Sequence, residues 1–333
     1  MYRLKRQFMI YYRAERKNNM VDNIIVDIKE NNINENILKI LLKDRTTKKN
    51  IIWATNDYVE FGSLYASDRP ILLDEITGKN SEVIQPRITK NKQNQLSRTR
   101  ARAEVFTPSW ICNTQNNLID EAWFGRKNVF NIENEKTWKS NKEKIEFPEK
   151  TNWKKYVKLS RMEISCGEAP YLTSRYDTVT GKPIKIIDRV GLLDRKLRIV
   201  NENVDDKKEW IKWAKIAYKN IYGFEYQGDN LLIARENLFQ TFIENYKYKF
   251  DEEPEEKDKK CIALIISWNI WQMDGITMTV PYCDRESLNH QITFEEVLND
   301  KKNETPLGVE CVIKDWKKEG KNEVVFKSII GGK

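Results

Sequence analysis

Two glutamates stand where short strand-like segments end, and both could help to bind a nucleotide. Glu163 lies in the segment EISCGEAPYL, in which a strand runs into Cys166 and Gly167. Glu225 closes the strand-like run IYGFE, directly before a long helical segment. A glycine after a strand lets the backbone approach a ligand closely, and a carboxylate at a strand end can accept hydrogen bonds from two ribose hydroxyls. These residues predict a nucleotide site, with a solvent-exposed glutamate as the alternative for Glu225 considered alone.

The middle of the chain must position these residues, and there helix and strand patterns alternate. Strands are predicted over Met162–Ser165 and Asn220–Tyr226, and helices over Trp210–Lys219 and Asn230–Tyr246. The run CIALIISWNI, Cys261–Ile270, is almost wholly apolar, as expected for a central strand of a parallel sheet covered on both faces. The alternation predicts an open, mostly parallel α/β sheet. Ligands bind beyond the carboxyl ends of the strands in such sheets, where both glutamates stand.

The amino-terminal part of the chain lacks the alternating helix and strand patterns of the middle. Residues 1–100 are polar and predict an irregular, partly helical accessory region that binds DNA or a partner, ahead of a main domain over residues 101–333. Within this region, Asn36–Leu42 is helix-compatible and Asn50–Thr55 reads as a short strand. The region is therefore expected to pack on the main domain or to reach from it.

Another helix is predicted to begin at Thr107 and Pro108, because a hydroxyl can cap free N–H groups and proline tolerates the first helical position. Four of its apolar residues can share one face: Ile111, Leu118, Ile119 and Trp123. At the carboxyl end, Gly308–Trp316 and Glu323–Ile330 are strand-like runs around a lysine-rich turn, which predicts a hairpin.

Composition narrows the class of protein. The chain has 333 residues, 40% of them apolar, which is enough for one large or two modest domains. No secretion signal and no apolar run of membrane-spanning length is present, so a cytoplasmic location is predicted. The five cysteines match no zinc spacing, and a single histidine, His290, argues against a His-based metal site or triad. No metal site is predicted.

The charge points to a polyanionic partner. The formal net charge is +8, and from Lys79 to Arg102 seven cations accompany one anion, Glu82. Such a run can neutralise backbone phosphates, and a solvated linker is the equally weighted alternative. The candidate nucleic-acid contacts are Arg87, Lys90, Lys92, Arg98, Arg100 and Arg102.

Three segments in a fixed order give the chain a resemblance to a known family. EVFTP, then EISCGEAPYL, then IYGFEYQGDNLLIAREN resemble motifs X, I and II of the gamma-class DNA amino-methyltransferases, the modification subunits ("restriction endonuclease subunit M") of restriction-modification systems. The resemblance implies a Rossmann-like fold that binds S-adenosylmethionine. By the same resemblance, the methionine end of the cofactor would be contacted by Phe106, Thr107 and Pro108. The loop around the cofactor would be formed by Glu163, Cys166 and Gly167, and the ribose would be bound by Glu225. Ala169 stands where the family has a second glycine.

The segment Asn269-Ile270-Trp271-Gln272 falls where this family carries its catalytic Asn-Pro-Pro-aromatic tetrapeptide. The resemblance implies that Asn269 polarises the target amine and that Trp271 stacks on a flipped base. Both prolines are missing, and glutamine takes the aromatic position. The alternative is that Trp268 and Trp271 are core residues and that Asn269 caps a strand.

The resemblance thus implies a methyltransferase that modifies double-stranded DNA, most often at adenine N6, in a restriction-modification or related phage-defence system. A separate specificity or nuclease subunit is a possible partner. One alternative is a catalytically inactive, methyltransferase-like DNA-binding or specificity subunit, which the altered tetrapeptide motivates. A further alternative makes RNA or protein the substrate.

Overall fold

The computed structural model describes residues 33–90, 107–284, 308–320 and 322–330. The helices are α1 (Glu35–Leu41), α2 (Leu73–Ile76), α3 (Ser109–Phe124), α4 (Trp153–Val157), α5 (Leu192–Asn203), α6 (Lys207–Lys219), α7 (Gly228–Phe250), α8 (Glu256–Asn269) and α9 (Phe326–Ile330). The strands are β1 (Asn131–Asn134), β2 (Thr137–Ser140), β3 (Arg161–Glu163), β4 (Ile221–Glu225), β5 (Ile270–Gln272), β6 (Thr279–Asp284), β7 (Gly308–Glu310), β8 (Val312–Lys314) and β9 (Glu323–Val325). In these ranges no helix is long and apolar enough to cross a membrane.

A small parallel sheet of three strands, in the order β3-β4-β5, lies among the helices. Glu163 pairs in register with Gly223, and Glu225 with Gln272. All three strands therefore end at the same edge of the sheet. Three antiparallel pairs accompany this sheet, β1 with β2, β6 with β7 and β8 with β9. The protein is thus of mixed α/β class, as the alternation of patterns predicted.

Most of the predicted elements of the middle region are confirmed, but one is wrong. Strands β3 and β4 and helices α6 and α7 lie where the sequence predicts them. The apolar run Cys261–Ile270, however, is not a strand: it forms most of α8, and only Ile270 at its end enters β5. An unbroken apolar run has no periodicity that distinguishes a buried helix from a buried strand. The acidic segment before it supplies Glu256 and Asp258 to the first turn of α8, where carboxylates interact favourably with the helix dipole.

Helix α3 buries a polar face, and not the whole apolar face that its sequence pattern predicts. Leu118 is 61% exposed, while Asn113, Asn117 and Asp120 are buried. The cause is the buried guanidinium of Arg195 on α5. It donates to Asp120 Oδ2 at 2.7 Å and to the side-chain oxygens of the two asparagines at 2.9 and 2.7 Å. Buried charges need such partners, and this requirement outweighs the burial of Leu118.

The described part of the amino-terminal region shares its hydrophobic core with the rest of the chain. Ile37, Leu38 and Leu41 of α1 are buried in the cluster that also contains Leu231 of α7 and Ile270 of β5. The predicted helix Asn36–Leu42 is confirmed as α1, and the predicted strand at residues 50–55 is reduced to isolated bridges at Asn50 and Ile52. Residues 33–90 do not form a separate core.

The buried guanidinium of Arg235 on α7 ties this amino-terminal segment to the sheet. Its side chain has no solvent exposure, and it donates to four backbone carbonyls. Two belong to Ile270 and Ser267, at 2.8 and 3.4 Å, and two to Leu41 and Lys43, the latter at 3.1 Å. Burial lowers the pKa of Arg235 to about 9. One side chain thus joins α8, β5 and the end of α1.

Gln272, the last residue of β5, makes a second junction with the same segment. Its side-chain amide accepts from Ile52 N at 2.9 Å and donates to Ile52 O at 2.8 Å, as a neighbouring strand would. It also donates to Tyr226 O at 2.9 Å. Gly228 lies beside this crossing, and a Cβ there would come within 2.0 Å of Ile52 O. The chain can cross at this point only because residue 228 is glycine.

Replacing Arg235 by methionine should lower the free energy of unfolding by at least about 3 kcal/mol, because the carbonyls it serves are left without donors in the core. Urea titration followed by circular dichroism measures this difference. Arg126→Met is the control, since Arg126 is exposed and makes a single hydrogen bond, to Glu146 O. An equal, small effect of both substitutions would contradict the role assigned to Arg235.

Candidate functional site

A cavity of about 790 Å³ opens at the edge of the sheet where β3 and β4 end. Five of the seven predicted cofactor-binding residues line it: Thr107, Glu163, Cys166, Gly167 and Glu225. The remaining wall comes from α3, from β3 and the loop after it, from the segment between β4 and the start of α7, and from Leu192 of α5. Its volume falls in the range that small-molecule ligands occupy, about 300–1,000 Å³. The structure therefore brings the two strand ends together around one cavity.

The loop after β3 has an unusual backbone. Ser165, Gly167 and Ala169 all have positive φ angles, of 50°, 53° and 63°. Such angles cost free energy for residues other than glycine, and they persist only where the surroundings enforce them. Two hydrogen bonds do so here: Ala169 N donates to Cys166 O at 2.7 Å, and Cys166 N donates to Phe224 O at 2.8 Å. The loop is held in one strained form at the cavity wall.

Glu168 anchors this loop to two other parts of the protein. The carboxylate of Glu168 is buried and accepts from Arg87 N at 2.7 Å and from the hydroxyl of Tyr176 at 2.6 Å. Its backbone carbonyl accepts from the side chain of Asn237 on α7 at 3.1 Å. Residue 87, which precedes the loop in the sequence, and helix α7, which follows it, thus both hold the loop in place.

Glu225 joins the two strand ends directly. Its Oε2 accepts from Gly167 N at 2.9 Å, and its Oε1 accepts from Gln227 N at 3.2 Å. Burial raises the pKa of Glu225, and the backbone donors and Asp229 change it less. Each carboxylate oxygen has two lone pairs, so Glu225 can accept further bonds from a ligand while it holds Gly167.

Three other side chains of the cavity lining carry acceptor atoms that have no donor in the described protein. Glu163 Oε2, Asn116 Oδ1 and Asn230 Oδ1 are buried and have no hydrogen-bond partner. Burial raises the pKa of Glu163 well above its ordinary value, and the nearby charge of Glu225 adds to the shift. A buried acceptor without a donor is costly, which marks these atoms as places where a ligand would donate.

The ionisable groups of the cavity lining are acidic, without basic groups among the described residues. The lining contains the carboxylates of Glu163 and Glu225, and among the described residues it contains no lysine, arginine or histidine. A wall of this kind suits a ligand that brings positive charge and hydrogen-bond donors. It is unsuited to a polyphosphate, which would need cations or a row of free backbone N–H groups.

The predicted cofactor residues before α3 are only partly at the site. Thr107 lines the cavity, but its hydroxyl does not cap α3; Ser109 N donates instead to Asp177 Oδ2 at 2.9 Å. Pro108 is the residue before the helix and does not line the cavity. Phe106 lies outside the described residues.

The two predicted catalytic residues do not line the cavity. Asn269 ends α8 at the amino end of β5, the opposite edge of the sheet. Its amide donates to Tyr218 O and Ile221 O, both at 3.0 Å, and its oxygen accepts from Trp316 Nε1 at 2.7 Å. Asn269 therefore has a structural role at the end of α8 and the start of β5, in line with the alternative interpretation that it caps a strand.

Trp271 lies in a second hydrophobic cluster between the sheet and the carboxyl-terminal strands. Its ring centroid is 4.8 Å from that of Phe326 and 5.8 Å from that of Phe224. The indole N–H points to the sulfur of Met273 at 3.3 Å. The ring is buried on all sides, so a base has no access to it in this conformation.

Among the predicted nucleic-acid contacts, only Arg87 and Lys90 fall in the described residues. Lys90 Nζ lies 3.1 Å from Asp229 Oδ2 and 3.2 Å from the hydroxyl of Tyr58, and both charges are largely buried. Arg87 is half-buried beside the loop after β3. Lys90 therefore holds the start of α7 rather than an exposed surface. The other four, Lys92, Arg98, Arg100 and Arg102, lie outside the described residues.

The sequence analysis missed Asn116 and Asn230, two lining residues that each carry a buried oxygen without a donor. Asn230 could have been found, because it lies in the first turn of a helix that follows a strand end. Asn116 gave no such signal, because only the apolar residues of α3 showed a pattern. No protein-family model matches this chain, and no curated protein or solved structure matches it significantly. The site therefore stands on its own geometry.

Replacing Ser165 by glycine should raise the free energy of unfolding by about 0.5–1 kcal/mol, because glycine adopts a φ of 50° without the steric cost that serine pays, and the exposed serine side chain is not part of the core. Thermal unfolding measures the change. Glycine in place of Ala122, exposed on α3, is the control and should destabilise by about 0.5–1 kcal/mol. A gain in stability at residue 165 and a loss at residue 122 are expected, and a loss at both positions would contradict the strain at residue 165.

The free energy of unfolding should fall as pH rises above about 4.5, the ordinary pKa of glutamate, partly through Glu163. The folded protein holds the proton of Glu163 more tightly than the unfolded chain does, so folding is favoured while the group is protonated. Glu163→Gln should flatten this slope. Urea titrations of both proteins at a series of pH values test the expectation, and parallel curves would refute it.

Proposed function

We propose that this chain is an S-adenosylmethionine-dependent methyltransferase of DNA and that it holds the cofactor in the cavity at the ends of β3 and β4. The observation that carries the proposal is the acidic wall. The carboxyl groups of Glu163 and Glu225 and the amides of Asn116 and Asn230 belong to the cavity lining, and no cation of the described residues does. Three of these side chains also carry a buried oxygen without a donor. A lining of hydrogen-bond acceptors without cations suits a nucleoside that bears positive charge and not one that bears phosphates.

S-adenosylmethionine supplies a methyl group attached to a positively charged sulfur. The residues present fit such a ligand. Glu225, at the end of β4, would accept from the ribose hydroxyls, and Gly167 lets the backbone of the strained loop come close to the ligand. The free oxygens of Asn116, Glu163 and Asn230 would accept from amino groups of the ligand. The negative charge of Glu163 would be stabilised by the cation, which offsets the effect of burial on its pKa.

The strand order supports a Rossmann-like fold as part of this proposal. In a doubly wound sheet of order 3-2-1-4, the ligand lies at the carboxyl end of the first strand. The strands β5, β4 and β3 match the 3-2-1 half, with the cavity at the end of β3. Ile270–Gln272 then forms the third strand, and Asn269 ends the helix before it. The position of a fourth strand, beside the free edge of β3, holds none of the described strands.

The methyl acceptor is an exocyclic amine of DNA in this proposal, with adenine N6 as the target that the motif resemblance implies. The formal net charge of +8 supports a polyanionic substrate. The chain's own part in the reaction would be positioning: the loop after β3 and Glu225 fix the cofactor in place, which supplies most of the rate advantage in a displacement of this kind.

Calorimetric titration with S-adenosylmethionine tests the cofactor site. Binding is expected, and Glu225→Gln should weaken it at least about tenfold, because the charged acceptor of the ribose is lost. Glu75→Gln is the matched control: Glu75 is also buried with a raised pKa, yet it lies outside the cavity and should leave the affinity unchanged. ATP shares the adenosine and should bind poorly to the acidic wall. Equal binding of ATP, or no binding of S-adenosylmethionine, would contradict the proposal.

Methyl transfer is tested separately, with labelled S-adenosylmethionine and duplex DNA that either contains or lacks adenine. The assay is run with the protein alone and again with the subunit encoded beside it. Label in adenine-containing DNA supports the enzyme. Asn269→Ala is a poor probe of chemistry, because the amide of Asn269 makes three hydrogen bonds, two of them buried, and their loss should destabilise the protein.

The second candidate is a methyltransferase-like module that binds cofactor and DNA without transfer. Two observations favour it: Asn269 is fully engaged by backbone and Trp316, and Trp271 is enclosed in the core. Cofactor binding and DNA binding without any transferred label, in both preparations, would favour this candidate over the enzyme.

A further inference from the structure

The edge of the sheet opposite the cavity carries a cluster of cations interleaved with tryptophans. We call this surface the tryptophan–lysine band. Its cations are Arg45, Lys48, Lys158, Lys219, Lys314 and Lys317, and its rings are Trp213, Trp268 and Trp316.

Successive contacts join the members of the band. Lys314 Nζ lies between two rings, 5.2 Å from the centroid of Trp268 and 5.0 Å from that of Trp316. Lys48 covers Trp268 at 5.0 Å, and Lys219 covers Trp316 at 5.0 Å. Attraction to the negative ring faces stabilises each cation by about 0.5–1 kcal/mol at an exposed site and holds like charges near one another.

A groove of about 320 Å³ forms the centre of the band. Three lysines, Lys158, Lys219 and Lys317, line it together with the rings of Tyr222 and Trp316. Lys158 also reaches the ring of Trp213 at 5.7 Å, which extends the band along the surface. The groove thus offers several positive charges beside an apolar floor.

The charges of the band are not neutralised within the described protein. None of its six cations forms a salt bridge there, and the polar partners of two of them are serine hydroxyls, Ser267 for Arg45 and Ser160 for Lys317. Lysines of the neighbouring helices behave differently, as Lys215 pairs with Asp258 at 2.7 Å.

Four carboxylates lie close to the band, and none forms a salt bridge with its cations in the described protein. The charge of Asp44 raises the pKa of Arg45, although burial lowers that pKa more. Glu323 is in register with Lys314 across β8 and β9.

The other two carboxylates bind neighbouring groups. Asp315 accepts from the backbone N–H of Lys317 at 3.0 Å. Glu209 bonds the indole of Trp213 at 2.8 Å and pairs with Lys212, which is not part of the band. The band therefore keeps an excess of positive charge, which costs self-repulsion unless an anionic partner binds.

We propose that the tryptophan–lysine band binds the phosphate backbone of duplex nucleic acid. In a phosphodiester chain, each negatively charged phosphate is followed by a sugar. The groove can match this pattern, because its lysines can contact phosphates while the neighbouring aromatic rings contact sugars. The band lies at the starts of the strands, whereas the cavity lies at their ends, and β4 alone, with five residues, separates the two edges by roughly 16 Å. The band is thus a second surface, distinct from the cavity, and its binding does not depend on the proposed methyl transfer.

Fluorescence anisotropy of a labelled 20-base-pair duplex tests the band. The test variant is Lys158→Glu with Lys317→Glu, and the matched control is Lys136→Glu with Lys139→Glu on the hairpin of β1 and β2, which changes the net charge equally. The band variant should bind at least about tenfold more weakly at 0.1 M salt. Its slope of log K against log salt should be shallower by about two, one for each lost phosphate contact. The control should stay within about threefold of the parent with its slope unchanged.

Three outcomes would overturn the proposal: no duplex binding by the parent, equal losses in the two variants, or displacement of the duplex by poly-glutamate at equal charge, which would identify an acidic protein as the occupant. Lys158→Gln with Lys317→Gln serves if charge reversal impairs folding. Calorimetry with S-adenosylmethionine on the same preparations distinguishes failure of this proposal from failure of the proposed function. The band variants should bind the cofactor with the affinity of the parent protein, even if the parent binds it weakly.

Discussion

The buried guanidinium of Arg235 is the interaction on which the arrangement of this protein depends. Its donors meet carbonyls of α8, of β5 and of the segment after α1, and no carboxylate pairs with it among the described residues. Leaving such a charge without partners inside a protein would be prohibitive, so the three segments must meet at this point for the core to close. Because α7 follows β4 directly, the same junction fixes the position of Glu225 at the cavity.

The cavity follows from that frame. Gln272 holds the backbone of residue 52 against the ends of β4 and β5, and Gly228 leaves room for the crossing. Glu168 and Glu225 then pin the loop after β3 from two sides. The strain at Ser165 and Ala169 is tolerated because these bonds leave the loop no alternative. The result is a firmly held cavity wall that carries carboxyl groups and hydrogen-bond acceptors without donors.

The sequence was sufficient to predict the meeting of Glu163, Gly167 and Glu225, because parallel strands end at one edge of a sheet and these residues stand at such ends. It was insufficient where a distant partner decides the outcome. Arg195 lies 75 residues from Asp120, and its charge, not the local periodicity of α3, selects which face is buried. The run Cys261–Ile270 has no period at all, so its helical form depends on packing against α1, α6 and α7. Likewise, nothing near Gln272 indicates that its amide pairs with Ile52, 220 residues away.

The distance along the chain between Leu41 and its partners has a consequence for synthesis. The segment that contains Ile37, Leu38 and Leu41 is synthesised before Arg235 and Gln272, which follow some 200 residues later along the chain. At the usual pace of translation, about 5–20 residues per second, the wait is roughly 10–40 s. During that time the apolar face of α1 has none of its native cover from α7 and α8. The junction at Arg235 can therefore form only after these later segments are made, which places it among the last parts of the core to form.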